Sequence, residues 1–408
     1  MLNTLNDVLN NVDNFIWGMP LIILILFTGI LLTVRLRGLQ IRHLGKALHY
    51  VFHNEDDGEG EVTSFGALCT ALSATIGTGN IVGCATAIVA GGPGALFWMW
   101  LAAFFGMATK YAEGMLAVKY RVIAEDGHTL GGPFYYIEKG MGKNFKWLAK
   151  LFCVFGTMVG LFGIGTFTQV NGITSAVNNF FDPSNVHTIS LFGMNYSISV
   201  VVAGIIVTIC AGLVIIGGIK RISKVSEVIV PFMAVTYIGV CLIIVFTHLP
   251  QVPAAFAEIV QSAFGLKAVA GGAIGAMTVA MQKGIARGIF SNEAGLGSAP
   301  IAAAAAQTNE PVRQGLVSMT GTFIDTIIVC TMTGLAIVMT GAWDMGLEGV
   351  AVTTKAFALG LPFPAKASAF VLMMCLVFFA FTTILGWAYY SERCLEYLVN
   401  GKKFVRSE

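Results

Sequence analysis

A glycine-rich segment near the start of the chain has the residue types needed to bind ions. Residues 75–83 read Thr-Ile-Gly-Thr-Gly-Asn-Ile-Val-Gly and lie inside an apolar stretch, 64–90, that is long enough to cross a bilayer as a helix. Each glycine costs a helix about 1 kcal/mol relative to alanine. A helix broken there would offer N–H donors to an anionic group and free carbonyl oxygens to a cation. The alternative is that the small residues let two helices pack closely.

The composition places this segment in a helical membrane protein. Hydrophobic residues make up 56% of the 408 positions and charged residues only 11%. That is too little charge for the surface of a soluble chain of this length. The lipid bilayer is therefore an expected partner of the chain. The formal net charge of +2 gives no reason to expect nucleic acid as another.

The sequence contains no set of residues typical of an enzyme or a channel. Its eight cysteines form no CxxC pair and its six histidines form no HExxH motif, so neither a disulfide framework nor a metal centre of these types is predicted. The apolar segments hold no combination of nucleophile, base and metal ligands, and no pore-lining motif repeats. We therefore expect neither catalysis nor an organic cofactor.

The lysines and arginines predict the topology. The nine predicted spans cover residues 15–34, 64–90, 95–119, 148–180, 197–216, 226–246, 268–295, 316–340 and 365–390. Most of the 24 lysines and arginines fall in alternate loops, starting with the loop after the first span. Because positive loops face the cytoplasm, we predict a multi-pass protein of the cell membrane with its N-terminus outside and its C-terminus cytoplasmic.

A second glycine-rich stretch, 271–275, lies five spans after the first. Two broken spans at this separation are typical of inverted repeats, which place both breaks near the bilayer midplane around a transport site. We therefore divide the chain into three parts. They are a leading segment with one span, 1–62, a first repeat of five core spans, 63–250, and a second repeat in which three core spans are visible, 251–408.

Four motifs resemble the alanine/glycine:cation symporter family. They are Ile-Gly-Thr-Gly-Asn at 76–80, Gly-Met-Ala-Thr-Lys-Tyr-Ala-Glu at 106–113, Arg-Gly-Ile-Phe-Ser-Asn-Glu-Ala-Gly-Leu-Gly-Ser at 287–298, and Gly-Thr-Phe-Ile-Asp-Thr at 321–326. The resemblance covers nearly the whole chain. It implies an all-α membrane protein with the LeuT-type inverted-repeat bundle, one extra leading span, and broken core helices one and six.

The same resemblance implies a function. Such a protein is a secondary active transporter that imports small neutral amino acids, alanine and glycine, by sodium symport through alternating access. Proton coupling is the alternative, and a channel is less favoured. We expect a monomer to be functional. Since members of the family have ten core helices after the leading one, two further spans are expected after residue 408, unless this member has lost them.

A zwitterionic substrate needs donors for its carboxylate and acceptors for its ammonium group. The N–H groups of Thr78 and Gly79 would bind the carboxylate at the start of a half-helix. Carbonyl groups near Thr75, and near Ala273 and Ile274 in core helix six, would accept from the ammonium. Bulky side chains would close a small pocket around the substrate, with one polar contact from core helix three. These residues are Phe167, Ile274, Met277 and Trp387, with Gln169 as the polar contact. Ordinary helix packing is the alternative for all five.

A sodium site is predicted between core helices one and eight. The Thr382 and Thr383 hydroxyls and the Phe379 carbonyl can face one point on a helix, similar to the sodium-binding end of helix eight in LeuT-like transporters. Carbonyls of Ser73 and Ile76 would be the partners from core helix one. Alternatively, both hydroxyls only bond carbonyls of their own helix. A second sodium would use the Asn80 side chain and the Thr75 carbonyl.

Four charged residues lie in or near the spans of the second repeat. Asp325 is an acid within an apolar span, which indicates either a function or a structural partner for a serine, a threonine or the backbone. Glu293, Lys283 and Arg287 cluster in sequence at the end of core helix six. We interpret them as an inner-gate or helix-packing network in preference to direct substrate contacts, because charges near the end of a span can reach water.

Overall fold

The chain folds almost entirely into helices, as the composition predicts. The computed structural model describes residues 2–53, 58–123, 128–191, 193–266 and 272–399. The α-helices of the first half are α1 (Leu2–Ile16), α2 (Met19–Arg35), α3 (Leu39–Arg42), α4 (Leu44–Phe52), α5 (Ser64–Thr75), α6 (Cys84–Gly91), α7 (Gly94–Tyr120), α8 (Pro133–Tyr136), α9 (Lys146–Phe162), α10 (Phe167–Phe181), α11 (Ile198–Ile215) and α12 (Gly218–Thr247).

The second half continues in the same way. Its α-helices are α13 (Val252–Ala263), α14 (Ala273–Asn292), α15 (Ala299–Ala303), α16 (Pro311–Thr322), α17 (Thr331–Thr340), α18 (Val350–Gly360) and α19 (Ala365–Val399). Three segments are π-helical: Gly79–Gly83, Ile137–Met141 and Phe323–Cys330. Three short turns are 3₁₀-helical: Lys143–Phe145, Leu249–Gln251 and Ala342–Asp344.

The strands in the described part of the chain form two small antiparallel hairpins. They are β1 (Val122–Ile123) with β2 (Thr129–Leu130), and β3 (Thr188–Leu191) with β4 (Met194–Ser197). In the first hairpin Val122 pairs with Leu130, and in the second Thr188 pairs with Ser197. Both hairpins connect helices, so they do not alter the all-α architecture.

Several helical stretches are long and apolar enough to cross a membrane. In the described part of the chain five such stretches occur: Lys143–Phe181, Ile198–Ile215, Gly218–Thr247, Pro311–Thr340 and Ala365–Val399. A sixth consists of Ser64–Thr75 and Gly79–Gly91, which are bent by 52° relative to each other. The other three predicted spans also form helices, α2, α7 and α14, but these do not combine that length with that hydrophobicity. The described helices support a multi-pass membrane protein.

A break is present where core helix one is predicted to break, whereas 273–275, within the predicted second break, is helical. Gly271 lies outside the described residues, but from Ala273 to Asn292 helix α14 is continuous and includes Gly275. The interruption comes at the other end of this helix. There Glu293, Gly295 and Gly297 adopt left-handed backbone conformations, with φ of 56°, 89° and 77°. A helix cannot continue through such residues, and the chain resumes as α15.

Helix α19 positions much of the core. Its Phe379 and Tyr390 side chains are fully buried, and it packs against α5, α10 and α12. Gly386 lies so close to α5 that a Cβ there would be 2.7 Å from the Ala74 backbone nitrogen. The part of α19 that carries the Thr382 and Thr383 hydroxyls is therefore held against α5, the half-helix that precedes the first break.

Candidate functional site

The first break frees backbone groups in the buried centre of the molecule. Helix α5 ends at Thr75, Ile76 and Gly77 are not helical, and the chain continues through Thr78 into the π-helical turn from Gly79. Asn80 is fully buried, and its Oδ1 accepts a hydrogen bond of 2.9 Å from the Gly77 N–H. The Asn80 side chain therefore satisfies a donor that the break leaves without a helical partner.

Asp325 connects the first break to the second. Its Oδ1 accepts a 2.7 Å hydrogen bond from the Asn80 Nδ2. Its Oδ2 accepts from the Ser291 hydroxyl at 2.9 Å and from the Thr326 hydroxyl at 2.6 Å. Asp325 is fully buried, so these donors are what makes a carboxylate tolerable there. The partners include the serine and threonine hydroxyls that the sequence suggested.

The second break is closed by side chains of neighbouring elements. The Asn292 Oδ1 accepts from the Ala294 N–H at 2.9 Å, and its Nδ2 donates to Thr326 at 3.0 Å. The Glu113 carboxylate on α7 accepts from the Gly297 N–H at 3.2 Å. Glu293 is 3% exposed and accepts a short hydrogen bond from the Ser298 hydroxyl. A network of buried polar groups therefore surrounds this break.

The two breaks face each other. A Cβ placed on Gly79 would lie 3.7 Å from the Ser291 Cα, at the end of α14. Two of the charged residues predicted to cluster with Glu293 lie elsewhere on α14: Lys283 is exposed, and the Arg287 guanidinium lies 5.5 Å from the Phe290 ring centroid. Asp325 and Glu293 thus belong to the hydrogen-bond network around the breaks.

Gln169 and Thr78 are brought together beside the first break. The Thr78 N–H donates to the Gln169 Oε1 at 3.4 Å, and the Gln169 Nε2 donates to the Ile164 carbonyl at 3.0 Å. Gln169 is 1% exposed. The buried Trp387 side chain interacts with the Glu293 carboxylate at the second break. Thr78 and Gln169 thus form a polar wall beside the first break.

The other predicted pocket residues are not brought to the breaks. Phe167 is 61% exposed and Ile274 is 75% exposed. Met277 lies 14 positions before Ser291 on the continuous helix α14, which is about 20 Å at 1.5 Å per residue. Ala273 and Ile274 are farther still. Since the second break lies at the opposite end of this helix, its freed carbonyls come from residues near Asn292.

The predicted sodium ligands of α19 lie against the first break. The Thr382 and Thr383 hydroxyls each donate to the Phe379 carbonyl at 3.0 Å, as the alternative interpretation also expects. A Cβ on Gly77 would overlap the Thr383 hydroxyl oxygen, so this hydroxyl touches the interrupted backbone. Because each hydroxyl uses its hydrogen for the carbonyl, its oxygen lone pairs remain available to a cation.

The remaining predicted sodium ligands belong to α5 or to the break that follows it. Ser73 and Ile76 are fully buried, and the Ser73 hydroxyl donates to the Thr70 carbonyl at 2.7 Å. The Thr75 hydroxyl donates to the Ala71 carbonyl at 3.2 Å. For the second sodium, the Asn80 Oδ1 already accepts one hydrogen bond, so one lone pair is left for an ion. Hard oxygen donors of this kind suit sodium, and the residues present fit the ion.

A second structural feature ties together the ends of α5 and α15 that lie away from the breaks. The Gln307 N–H donates to the Val62 carbonyl at 2.7 Å, and the Glu61 N–H donates to the Ala305 carbonyl at 2.8 Å. Arg121, at the end of α7, donates to the carbonyls of Ala304, Ala306 and Thr308 at 2.9, 2.6 and 2.8 Å, and also to that of Glu59. We call Arg121 with segments 59–62 and 304–308 the Arg121 clamp.

An ionic cluster adjoins the clamp. The His128 ring lies 3.0 Å from the Glu61 carboxylate and 3.3 Å from that of Glu396, which also accepts from Arg393 at 2.8 Å. Burial lowers the pKa of His128, but its hydrogen bonds to Glu396 and Glu61 outweigh burial and raise it above its usual 6.5. Burial raises the pKa of Glu61, yet hydrogen bonds from His128 and the Thr129 N–H bring it below 4.5. The His128 ring therefore links the start of α5 to the end of α19.

Sequence reasoning alone did not identify the clamp or the Asp325 bridge. The sequence predicts only that most lysines and arginines lie in alternate loops, and it assigns the Asn80 side chain to a sodium site. The signal that was available is the Ser-Asn-Glu-Ala-Gly run, 291–295. Glu293, at the centre of this run, has a positive φ. A search for glycines does not find this position because the residue is a glutamate.

Comparisons with known proteins show the family of the chain. A sequence model of the sodium:alanine symporter family matches residues 2–407. An uncharacterized transporter of Haemophilus influenzae is 58% identical over 99% of this chain and 85% of its own length. The sodium/alanine symporter AgcS of Methanococcus maripaludis is 46% identical over 98% of this chain and 85% of its own length. The probable sodium/glutamine symporter GlnT of Bacillus subtilis is 38% identical over 99% of this chain and 80% of its own length.

Proposed function

Because the chain belongs to the sodium:alanine symporter family, we propose that it imports alanine and glycine together with sodium by alternating access. The family is one of transporters and not an enzyme class. The observation that carries the proposal is the pair of facing helix breaks joined by Asp325. Such breaks provide both the donors and the acceptors that an amino acid and a coupling ion require.

The substrate site in this proposal lies at the first break. The N–H groups of Thr78 and Gly79 bind the carboxylate, and Gln169 turns its amide from Thr78 to the substrate. The ammonium binds carbonyls near Thr75 and the end of α14. Trp387 closes the pocket beside the small side chain. A larger amino acid would overlap the end of α14, since a Cβ on Gly79 would already lie in van der Waals contact with the Ser291 Cα.

The coupling ion binds between α5 and α19. Its ligands are the Thr382 and Thr383 hydroxyls, the Phe379 carbonyl, and the carbonyls of Ser73 and Ile76. Support comes from the contact between the Thr383 hydroxyl and Gly77. Since Gly77 is part of the substrate-binding break, an ion at Thr383 stabilises the backbone conformation that binds the substrate. This shared backbone is the physical basis of coupling.

The architecture in the proposal is the LeuT-type inverted repeat. The first repeat, 63–250, begins with the broken helix formed by α5 and α6, and the second, 251–408, contains the broken pair α14 and α15. The protein acts as a monomer in the cell membrane, with its N-terminus outside. Positive residues near Arg35 and Lys139 support this orientation through the positive-inside rule.

Transport into proteoliposomes tests the proposal. A sodium gradient should drive accumulation of labelled alanine and glycine, and a proton gradient without sodium should not. Excess unlabelled glutamine should compete poorly with alanine. Accumulation driven by a proton gradient alone would show that protons, the alternative, are the coupling ion. Equal competition by glutamine would overturn the small-pocket assignment.

Counterflow distinguishes a carrier from a channel. Liposomes loaded with unlabelled alanine should transiently concentrate labelled alanine from outside, because a carrier exchanges one substrate for another. A channel lets both pools equilibrate without this overshoot. Absence of counterflow in liposomes that do take up alanine would therefore contradict alternating access.

A further inference from the structure

Lys110 presents a buried ammonium group without a hydrogen-bond partner among the described residues. The residue lies in the middle of α7 and is 3% exposed. Its Nζ makes no hydrogen bond, and the side chain lines a cavity of about 20 Å³. Leaving a buried ammonium unsatisfied is costly. The cost is understandable if a ligand supplies the missing acceptor during the transport cycle.

The cavity lies directly beside the two breaks. Thr75, the last residue of α5, and Asn292, the last residue of α14, both line it. Its remaining walls come from α5, α15 and α16. Helices α5 and α15 are the half-helices that lead from the breaks to the Arg121 clamp. A substrate that leaves the breaks in the direction of the clamp would therefore meet this cavity next.

A second unsatisfied group complements the first. The Gln314 Oε1 is buried, has no hydrogen-bond partner among the described residues, and belongs to the same cavity. Ser318 contributes a hydroxyl one helical turn later. A free cationic donor and a free acceptor are what the carboxylate and the ammonium of an α-amino acid require.

The acidic residues around Lys110 do not occupy its hydrogens. Burial destabilises the ammonium of Lys110, and the negative charges of Glu113, Glu293 and Asp325 oppose that effect only in part. Each of the three already accepts a hydrogen bond from another group, although the Glu113 Oε2 is buried without a hydrogen-bond partner among the described residues. Because the Nζ hydrogens of Lys110 are unused, a ligand carboxylate that reaches the ammonium can accept them.

We propose that Lys110 and Gln314 form a second substrate subsite, in which Lys110 binds the carboxylate and Gln314 the ammonium of the amino acid on its way to the clamp. This inference rests on the proposed function. In the present conformation the cavity has room for about one water molecule. The amino acid therefore enters when α5 and α15 separate, and the subsite is used only at the membrane face that carries the clamp.

The sidedness of this subsite makes it testable. The alanine KM would be measured at each face of oriented proteoliposomes, with saturating sodium, for the wild type and for Lys110→Met, which removes the charge and keeps the length. We expect the KM at the clamp-bearing face to rise about tenfold, and the KM at the opposite face to stay within about twofold of the wild type. Lys355→Met, at an exposed lysine of α18, is the matched control and should change neither value.

A second variant covers the case in which Lys110→Met does not fold. Gln314→Met should raise the KM at the clamp-bearing face alone, and its size-exclusion profile shows whether it is folded. An equal change at both faces, or no change at either, in a folded variant would overturn the subsite. If the wild type itself showed no sodium-driven alanine uptake, the proposed function would fail instead, so the two failures are distinguishable.

Discussion

Replacing Arg121 with glutamine tests whether the clamp holds two half-helices together. The guanidinium donates to three carbonyls at 2.6–2.9 Å besides its bond to Glu59. Glutamine removes the positive charge, and its single amide group can replace at most one of these bonds. The change leaves the covalent chain, the apolar core and the two helix breaks untouched.

The hydrogen bonds of Arg121 set the expected change in the free energy of clamp opening. A hydrogen bond from a charged donor contributes about 1.5 kcal/mol at the lower end of its range, so the three bonds give about 4.5 kcal/mol before solvent is considered. Arg121 is only half-buried, and screening by water reduces this to about 2 kcal/mol. The ratio of open to closed clamp should therefore increase about 30-fold in Arg121→Gln.

Hydrogen exchange at the clamp measures this ratio directly. The N–H groups of Glu61 and Gln307 are bonded across the clamp, so their exchange requires opening and should accelerate by the same factor of about 30. Lys119→Gln is the matched control, because Lys119 is an exposed cation two residues earlier on α7. Unchanged exchange in Arg121→Gln, or acceleration spread evenly over the whole chain, would refute the clamp as a local latch.

Three further predictions follow from the site. The double variant Thr382→Val and Thr383→Val keeps the side-chain shape and removes two oxygens, so alanine uptake should lose its sodium stimulation; unchanged sodium dependence would place the ion elsewhere. Gly79→Leu should abolish alanine binding measured by equilibrium dialysis, because the side chain fills the space in front of the N–H donors, and wild-type affinity would contradict the site. The raised pKa of His128 means that its link to Glu61 stabilises the closed clamp below pH 6.5 and weakens as pH rises through that pKa. Exchange at the clamp should then accelerate with rising pH beyond the intrinsic rate, and a His128→Asn variant that keeps this extra acceleration would assign it to another group.

The first break could be predicted from sequence because its cause is local. Three glycines within seven residues weaken a helix whatever surrounds them, and a bend of 52° is found there. The second break has a different cause. Glu293 ends α14 in a left-handed conformation, held by the Ser298 hydroxyl and other buried partners. Since a non-glycine residue takes that conformation only when its surroundings stabilise it, glycine counting pointed to 271–275 instead.

The clamp and the Asp325 bridge could not be predicted from sequence because they join distant residues. Arg121 caps carbonyls more than 180 positions later, and Asp325 lies 245 positions after Asn80. Single-sequence patterns report helical period, charge and hydrophobicity, but not which loop carbonyls come together. The Lys110 cavity could not be predicted from sequence either. Its unsatisfied groups become evident only when every neighbour is in place.

The two π-helical segments at the centre explain how so many polar groups reach one point. Gly79–Gly83 follows the first break and Phe323–Cys330 contains Asp325, and the two segments contact each other. A π-turn widens the helix by one residue and changes which side chains face a neighbour, and such turns are frequent at functional sites. In this protein the π-helical segments orient the Asn80 and Asp325 side chains toward each other in the interior. A conformational change at either break would therefore act on the other through one carboxylate, as the proposed coupled transport requires.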